Sequence, residues 1–131
     1  VLDPEVLDYA ESKFDGLIIV DEAYAEFRSP GTESALVRFA HSDNVVVTRT
    51  MSKAFSCAGL RLGYVLSNPE IINALMVVRL PYHLSAVTQA VALAAISHSE
   101  ELLGQVDALR KDRDALAAWL ASQNFEVLPN S

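Results

Sequence analysis

Two short apolar runs, "LIIV" at 17–20 and "VVVT" at 45–48, constrain the fold of this chain more than any other feature. Each run is continuous rather than alternating and is rich in β-branched residues. That is the pattern of a strand covered on both faces. A polar, loop-like stretch around "RSPGTES" separates them, with a short helix expected at 33–40. The strands are expected at about 17–20 and 44–48, and "LRLGYVLS" predicts a third at about 61–66. Helices fill the intervals. Asp3 reads as an N-cap with Pro4 at the first helical position, which starts a helix over 4–13. Asn68 and Pro69 start another over 69–79, stopped by Pro81. "SAVTQAVALAAISH" predicts a largely buried helix over 85–97. A long helix over 100–122 repeats Leu102, Val106, Leu109, Leu116 and Leu120 at spacings that make it amphipathic. "FEVLP" at 125–129 reads as the start of a strand after a turn at Gln123 and Asn124. Strands alternating with helices imply an α/β layer architecture with a largely parallel sheet. The three helices in a row near the end leave that alternation and suggest a departure toward a second subdomain.

Composition narrows the function. The 131 residues make about one domain, and 51% of them are hydrophobic, enough for a real core. A net charge of −7 argues against a nucleic-acid partner, which needs a basic face. No basic cluster suggests an anionic membrane surface, and no apolar run reaches the roughly 18 residues of a membrane span. Cys57 is the one cysteine, so no internal disulfide can form, and a reducing, cytoplasmic location fits. No signal peptide is evident. The chain starts at Val1 without methionine and stops after a strand-like segment, so it is expected to be part of something longer.

In open α/β sheets, ligands sit beyond the carboxyl ends of the strands. After "LIIV" come Asp21, Glu22, Ala23 and Tyr24; after "VVVT" come Arg49, Thr50, Met51, Ser52 and Lys53. Lys53 lies among small and apolar residues, poorly placed for a solvated charge, and Arg61 follows eight residues later. A carboxylate, a phenol, two hydroxyls, an amine and a guanidinium are thus expected near one sheet edge. Pyridoxal phosphate would use all of them. A lysine amine forms a Schiff base with an aldehyde. A buried carboxylate keeps a pyridine nitrogen protonated. A guanidinium and hydroxyls suit a phosphate, and a tyrosine hydroxyl suits the phenolate oxygen.

"DEAYAEF", with the lysine of "TMSKAFSCAGLRLGY" 32 positions after its aspartate, resembles the fold type I family of pyridoxal-phosphate enzymes. "VRLPYHLSAVTQAVALAAI" is similar to the histidinol-phosphate aminotransferase branch of that family in its actinobacterial form. The resemblance covers the whole chain. It implies a three-layer sandwich with a mixed, mostly parallel sheet, present here in part. Residues 1–123 would be the central part of the large cofactor-binding domain with its linking helix, and 124–131 the start of the small C-terminal domain. Lys53 would be the Schiff-base lysine and the proton shuttle. Asp21 would pair with the ring nitrogen, Tyr24 would donate to O3′, and Ala23 would pack under the ring. Thr50, Ser52 and Arg61 would hold the phosphate. Cys57 stands where a glycine or alanine is expected, a small-for-small change. The implied reaction is reversible, ping-pong transamination of L-histidinol phosphate and 2-oxoglutarate to imidazole-acetol phosphate and glutamate. The partners implied are a small-molecule amino donor and keto acceptor and, in the full-length protein, a second copy forming a homodimer. The family's ring-stacking aromatic, phosphate loop and O3′ asparagine would lie before Val1, and its substrate-gripping arginine after Ser131. The isolated chain is therefore expected to be inactive.

Plainer readings compete. An aspartate after a strand commonly caps the next turn, and Tyr24 or Arg61 alone could be structural. Glu22, next to Asp21 on extended chain, points away from it and reads as structural. His83 reads as packed or capping, and His41 and His98 as solvated. "RKDRD" at 110–114 reads as the wet face of the long helix. Gly59 is expected to supply the turn between Lys53 and Arg61. No metal-ligand spacing or dinucleotide loop is present. The alternative functions are an aminotransferase for aromatic amino acids or a related decarboxylase on the same scaffold, an effector-sensing domain of a regulator, and a structural domain without cofactor.

Overall fold

The computed structural model describes residues 4–128. Eight elements follow in the order α1 (Pro4–Lys13), β1 (Ile18–Asp21), α2 (Ala35–Arg38), β2 (Val45–Thr50), β3 (Gly63–Leu66), α3 (Pro69–Val78), α4 (Ala86–Ser97) and α5 (Ser99–Ser122). Single 3₁₀ turns occupy Ala25–Phe27 and Ala58–Leu60. The caps are local chemistry. The Asn68 side-chain oxygen accepts from the Ile71 amide at 2.9 Å, and Ser85 Oγ accepts from the Thr88 amide at 3.0 Å. The Asp3 cap lies outside the described residues. Among those residues, no helix is long and apolar enough to cross a membrane.

The sheet is mixed, in the order β1-β2-β3. β1 runs parallel to β2, from Ile18 opposite Val45 to Asp21 opposite Thr48. β3 returns antiparallel, with Thr50 opposite Gly63 and Val47 opposite Leu66. Side chains alternate across the sheet, so one face carries Ile18, Val20, Val45 and Val47. This face is the core, where Val45, Val47 and Ala35 are buried with Leu36 and Phe39 packed on them. The other face carries Ile19, Asp21, Thr48 and Val65. Ile19 is 68% exposed, so β1 is covered on one face rather than on both.

A second cluster buries Met51, Ala92 and Ala95, with Phe55, Leu60, Leu62 and Leu102 packed around it. It pins the long 51–62 connection to α4 and the start of α5. Beyond Ala92 and Ala95, α4 has no buried residue, so the expectation of a largely buried helix is corrected within this chain. The α5 stripe is likewise only partly used: Val106 is buried, but Leu109 and Leu116 are more than half exposed. Residues 125–128 form no strand, and Pro129 lies outside the described residues.

Candidate active site

β1 ends on Asp21 itself, one residue later than its apolar run suggests, because the parallel register extends to Thr48. Asp21 Oδ1 accepts from the Ala23 amide at 3.0 Å and from Thr48 Oγ1 at 3.3 Å. The first bond is the turn-capping role of an aspartate after a strand, and the second ties its side chain to the neighbouring strand. Both use the same oxygen. The turn carries the chain through Ala23 and Tyr24 into the 3₁₀ turn Ala25–Phe27. There the Tyr24 ring tilts against Phe27, with centroids 6.0 Å apart. From the second strand end, Lys53 Nζ reaches over the Tyr24 ring, 5.3 Å from its centroid, within the range of cation–π attraction. The sheet thus brings Asp21, Ala23, Tyr24 and Lys53 together. Lys53 and Tyr24 are exposed, so the expectation that the flanks of Lys53 keep its charge from solvent is corrected within this chain.

The two hydroxyls form a unit of their own. Thr50 Oγ1 donates to one acceptor of the pair formed by Ser52 Oγ, at 3.0 Å, and the Leu62 carbonyl, at 3.2 Å, and it accepts from the Ser52 amide at 3.1 Å. The Leu62 carbonyl also accepts from the Met51 amide at 3.1 Å. These bonds hold the backbone next to Arg61 against the hydroxyls. The Arg61 guanidinium itself folds back on its own turn, donating to the Ala58 carbonyl at 3.4 Å. Arg61 precedes β3 rather than opening it, and its φ of 51° is left-handed. With Ser56 at 53°, it makes the tight turns of this connection. Gly59 has no positive φ, so the turn expected of it is made by its neighbours. A hollow of about 500 Å³ runs along the outer edge of β1, lined by Ile19, Asp21, Ala23, Tyr24 and Arg28 among others. Thr50, Ser52, Lys53 and Arg61 do not line it.

Glu22 points to the opposite side and is 7% exposed. One of its oxygens accepts from Arg28 Nη1 at 3.0 Å and the Ala35 amide at 2.8 Å. The other accepts from Ser34 Oγ at 2.6 Å and Arg49 Nη2 at 2.7 Å. Burial pushes the carboxyl up. The bonds from Ser34, Arg49 and the Ala35 amide, with the charge of Arg28, outweigh burial and hold it below its ordinary value. Burial pulls Arg49 down, but Glu22 and Glu26 leave it above its ordinary value. Sequence reasoning set Glu22 aside correctly as structural in kind, but it did not foresee the two arginines.

The long helix lies where the sequence places it, but nothing in the sequence shows what its arginines hold. Arg110 Nη2 donates to the Glu26 carbonyl at 3.0 Å, and Arg113 Nη1 donates to the Phe27 carbonyl at 3.1 Å. The "RKDRD" run is therefore only partly a wet face: Lys111, Asp112 and Asp114 are exposed, while the two arginines hold the Tyr24 turn. Separations of 84 and 86 residues leave no local signal for these bonds.

The aminotransferase class I and II family matches residues 4–131. The chain belongs to that family. The histidinol-phosphate aminotransferase of Thermobifida fusca (strain YX) is 58% identical over 112 residues, 86% of this chain and 30% of that protein. That of Bifidobacterium adolescentis is 52% identical over 113 residues, 86% of this chain and 29% of that protein. The chain thus spans about 30% of the length of the curated relatives it matches. Among solved structures, the histidinol-phosphate aminotransferase of Sinorhizobium meliloti in complex with pyridoxal-5′-phosphate superposes with a TM-score of 0.78 at 28% identity. The match covers 96% of this chain and 34% of that one. The fold is that of the fold type I aminotransferases, present here as part of an α/β domain.

Proposed function

We propose that this chain is the central cofactor-binding segment of a histidinol-phosphate aminotransferase. The full-length protein would be a cytoplasmic homodimer that exchanges an amino group between histidinol phosphate and 2-oxoglutarate, using pyridoxal phosphate. Residues 1–123 would belong to its large domain and 124–131 to its small one. The observation that carries the reading is the amine of Lys53 over the Tyr24 ring, beside an aspartate at the end of β1. It is supported by the 58% identity to the Thermobifida fusca protein.

The donor set fits the cofactor. When bound, pyridoxal phosphate supplies an electron-accepting ring that stabilises charge at the carbon of the transferred amine. Lys53 would hold the aldehyde carbon and, once displaced by substrate, carry a proton to and from the reacting carbon. Its primary amine is ion-paired with no carboxylate among the described residues, which leaves it open to a carbonyl carbon. Asp21 has one oxygen engaged by Ala23 and Thr48, which fixes its direction and leaves the second oxygen for a ring N–H. Tyr24 would donate its hydroxyl to O3′, and Ala23 leaves space under the ring. The paired hydroxyls of Thr50 and Ser52 would hold phosphate oxygens, with Arg61 turning from the Ala58 carbonyl toward the same anion.

An assay of the full-length protein with histidinol phosphate and with phenylalanine as amino donors tests the reading. Preferred turnover of histidinol phosphate, with 2-oxoglutarate as acceptor, is expected. Preference for phenylalanine would assign the chain to an aromatic amino-acid aminotransferase instead.

A further inference from the structure

The turn that carries Tyr24 is held from a part of the chain more than eighty residues away. Both carbonyls at the end of this turn, those of Glu26 and Phe27, accept from arginines one helical turn apart on α5. The side chains of Arg110 and Arg113 are 25% and 26% exposed. Each is also aimed by an acid on its own helix: Arg110 Nη1 lies 3.2 Å from Asp107, and Arg113 Nε donates to Asp114 at 2.8 Å. The Glu26 carboxylate is gripped separately by Arg49 Nη1 at 3.2 Å. Phe27, whose carbonyl Arg113 holds, is the residue whose ring meets Tyr24. Tyr24 itself is 60% exposed and makes no side-chain hydrogen bond among the described residues. Its position therefore depends on the turn behind it. Hydrogen bonds from a charged donor to a carbonyl are among the stronger ones available for such a task.

We infer that Arg110 and Arg113 are positioning residues, which set the Tyr24 ring beneath Lys53 by clamping the Glu26 and Phe27 carbonyls at the end of its turn. This rests on the reading of Tyr24 as the O3′ donor and extends the functional unit to α5. The charged groups around the tyrosine are Lys53 above its ring and Asp21 at the start of the turn, while Glu22 and Glu26 are turned into ion pairs with Arg28 and Arg49. Loss of the clamp would move the phenol relative to Lys53 without removing any group that touches the cofactor.

The test uses the full-length holoprotein and its apo form, with Arg110→Gln, Arg113→Gln and the double variant, Arg110→Lys and Arg113→Lys as conservative variants, and Lys111→Gln as a control on the exposed side of the same helix. Amide exchange at residues 25–28 of the apo protein is expected to rise about tenfold or more in the double Gln variant, the factor set by one lost charge-assisted bond. The pH midpoint of the visible cofactor band is expected to move by about half a unit or more, because hydrogen bonding to the phenolate oxygen shifts the titration. The Lys variants should recover part of both effects, and Lys111→Gln should show neither. In a Tyr24→Phe background the arginine changes should no longer move the midpoint. Should the double variant fail to fold, the two single Gln variants carry the same comparison. Unchanged exchange and midpoint, or a midpoint shift that persists without the Tyr24 hydroxyl, would overturn the inference while leaving the functional reading in place. Absence of any cofactor band from the wild type would instead remove the functional reading and this inference with it.

Discussion

Asp21 and Glu22 are consecutive acids at the end of one strand, and the structure treats them in opposite ways. Glu22 is buried, with both oxygens engaged by Arg28, Arg49, Ser34 and the Ala35 amide. Asp21 is exposed, with one oxygen engaged and the other without a hydrogen-bond partner among the described residues. Strand alternation sends the two side chains to opposite faces. The core face of β1 lies under α2 and needs its charge neutralised, while the other face carries Asp21 and the exposed Ile19. A carboxylate whose hydrogen-bonding capacity is filled by protein holds the structure together. A carboxylate that is aimed but half-filled has capacity left for a ligand.

The contrast can be broken by substitution. The largest expected effect belongs to the open face. Lys53→Ala should lower transamination by the full-length protein on the order of 10⁴-fold or more, as loss of a covalent nucleophile does. Its urea midpoint should stay close to wild type, because the amine is exposed. A large loss of stability would mean that Lys53 belongs to the structural set. Glu22→Ala should do the reverse. It leaves Arg28 and Arg49 without their buried partner, a loss of about 3–5 kcal/mol in urea unfolding. Glu22→Ala unfolding within about 0.5 kcal/mol of wild type would remove the contrast.

Asp21→Asn is the finer probe. An asparagine oxygen can still accept from Ala23 and Thr48, so stability should change by less than about 1 kcal/mol. The charge that would keep a pyridine nitrogen protonated is lost, and activity should fall about 10- to 1,000-fold. Equal activity of the two forms would place Asp21 with the turn-capping aspartates. The smallest effect is on pH dependence. The Glu22 carboxyl is held below its usual 4.5, so between that folded value and 4.5 the unfolded chain binds more protons. Stability from this group is fully present above pH 4.5 and is lost as pH falls through the folded value. Unfolding midpoints measured from pH 7 downward should decline in wild type and decline less in Glu22→Gln.

Much of this arrangement is legible in the sequence where the signal is local. The β-branched runs located β1 and β2, Asn68–Pro69 and Ser85 located the starts of α3 and α4, and strand ends pointed to Asp21, Tyr24 and Lys53. Burial was read less well. Continuous apolar composition reports that a segment is meant to be covered, yet Ile19 and much of α4 are exposed within these residues. Partners distant in sequence were not legible at all. Nothing around Arg49 marks it as the neighbour of Glu22, and nothing around Arg110 marks it as a clamp on Glu26. The turn residues failed for a subtler reason: Gly59 can take a left-handed conformation, but Ser56 and Arg61 are the residues driven into it. Permissive residues show where strain is cheap, whereas tertiary bonds such as Met51 to Leu62 decide where it falls.

The most direct measurement is a borohydride trap on the full-length protein saturated with pyridoxal phosphate, followed by peptide mapping of the reduced adduct. The account predicts a visible cofactor band that bleaches on reduction, with the stable adduct on Lys53. A protein that shows no band, or one labelled on a different lysine, would contradict it.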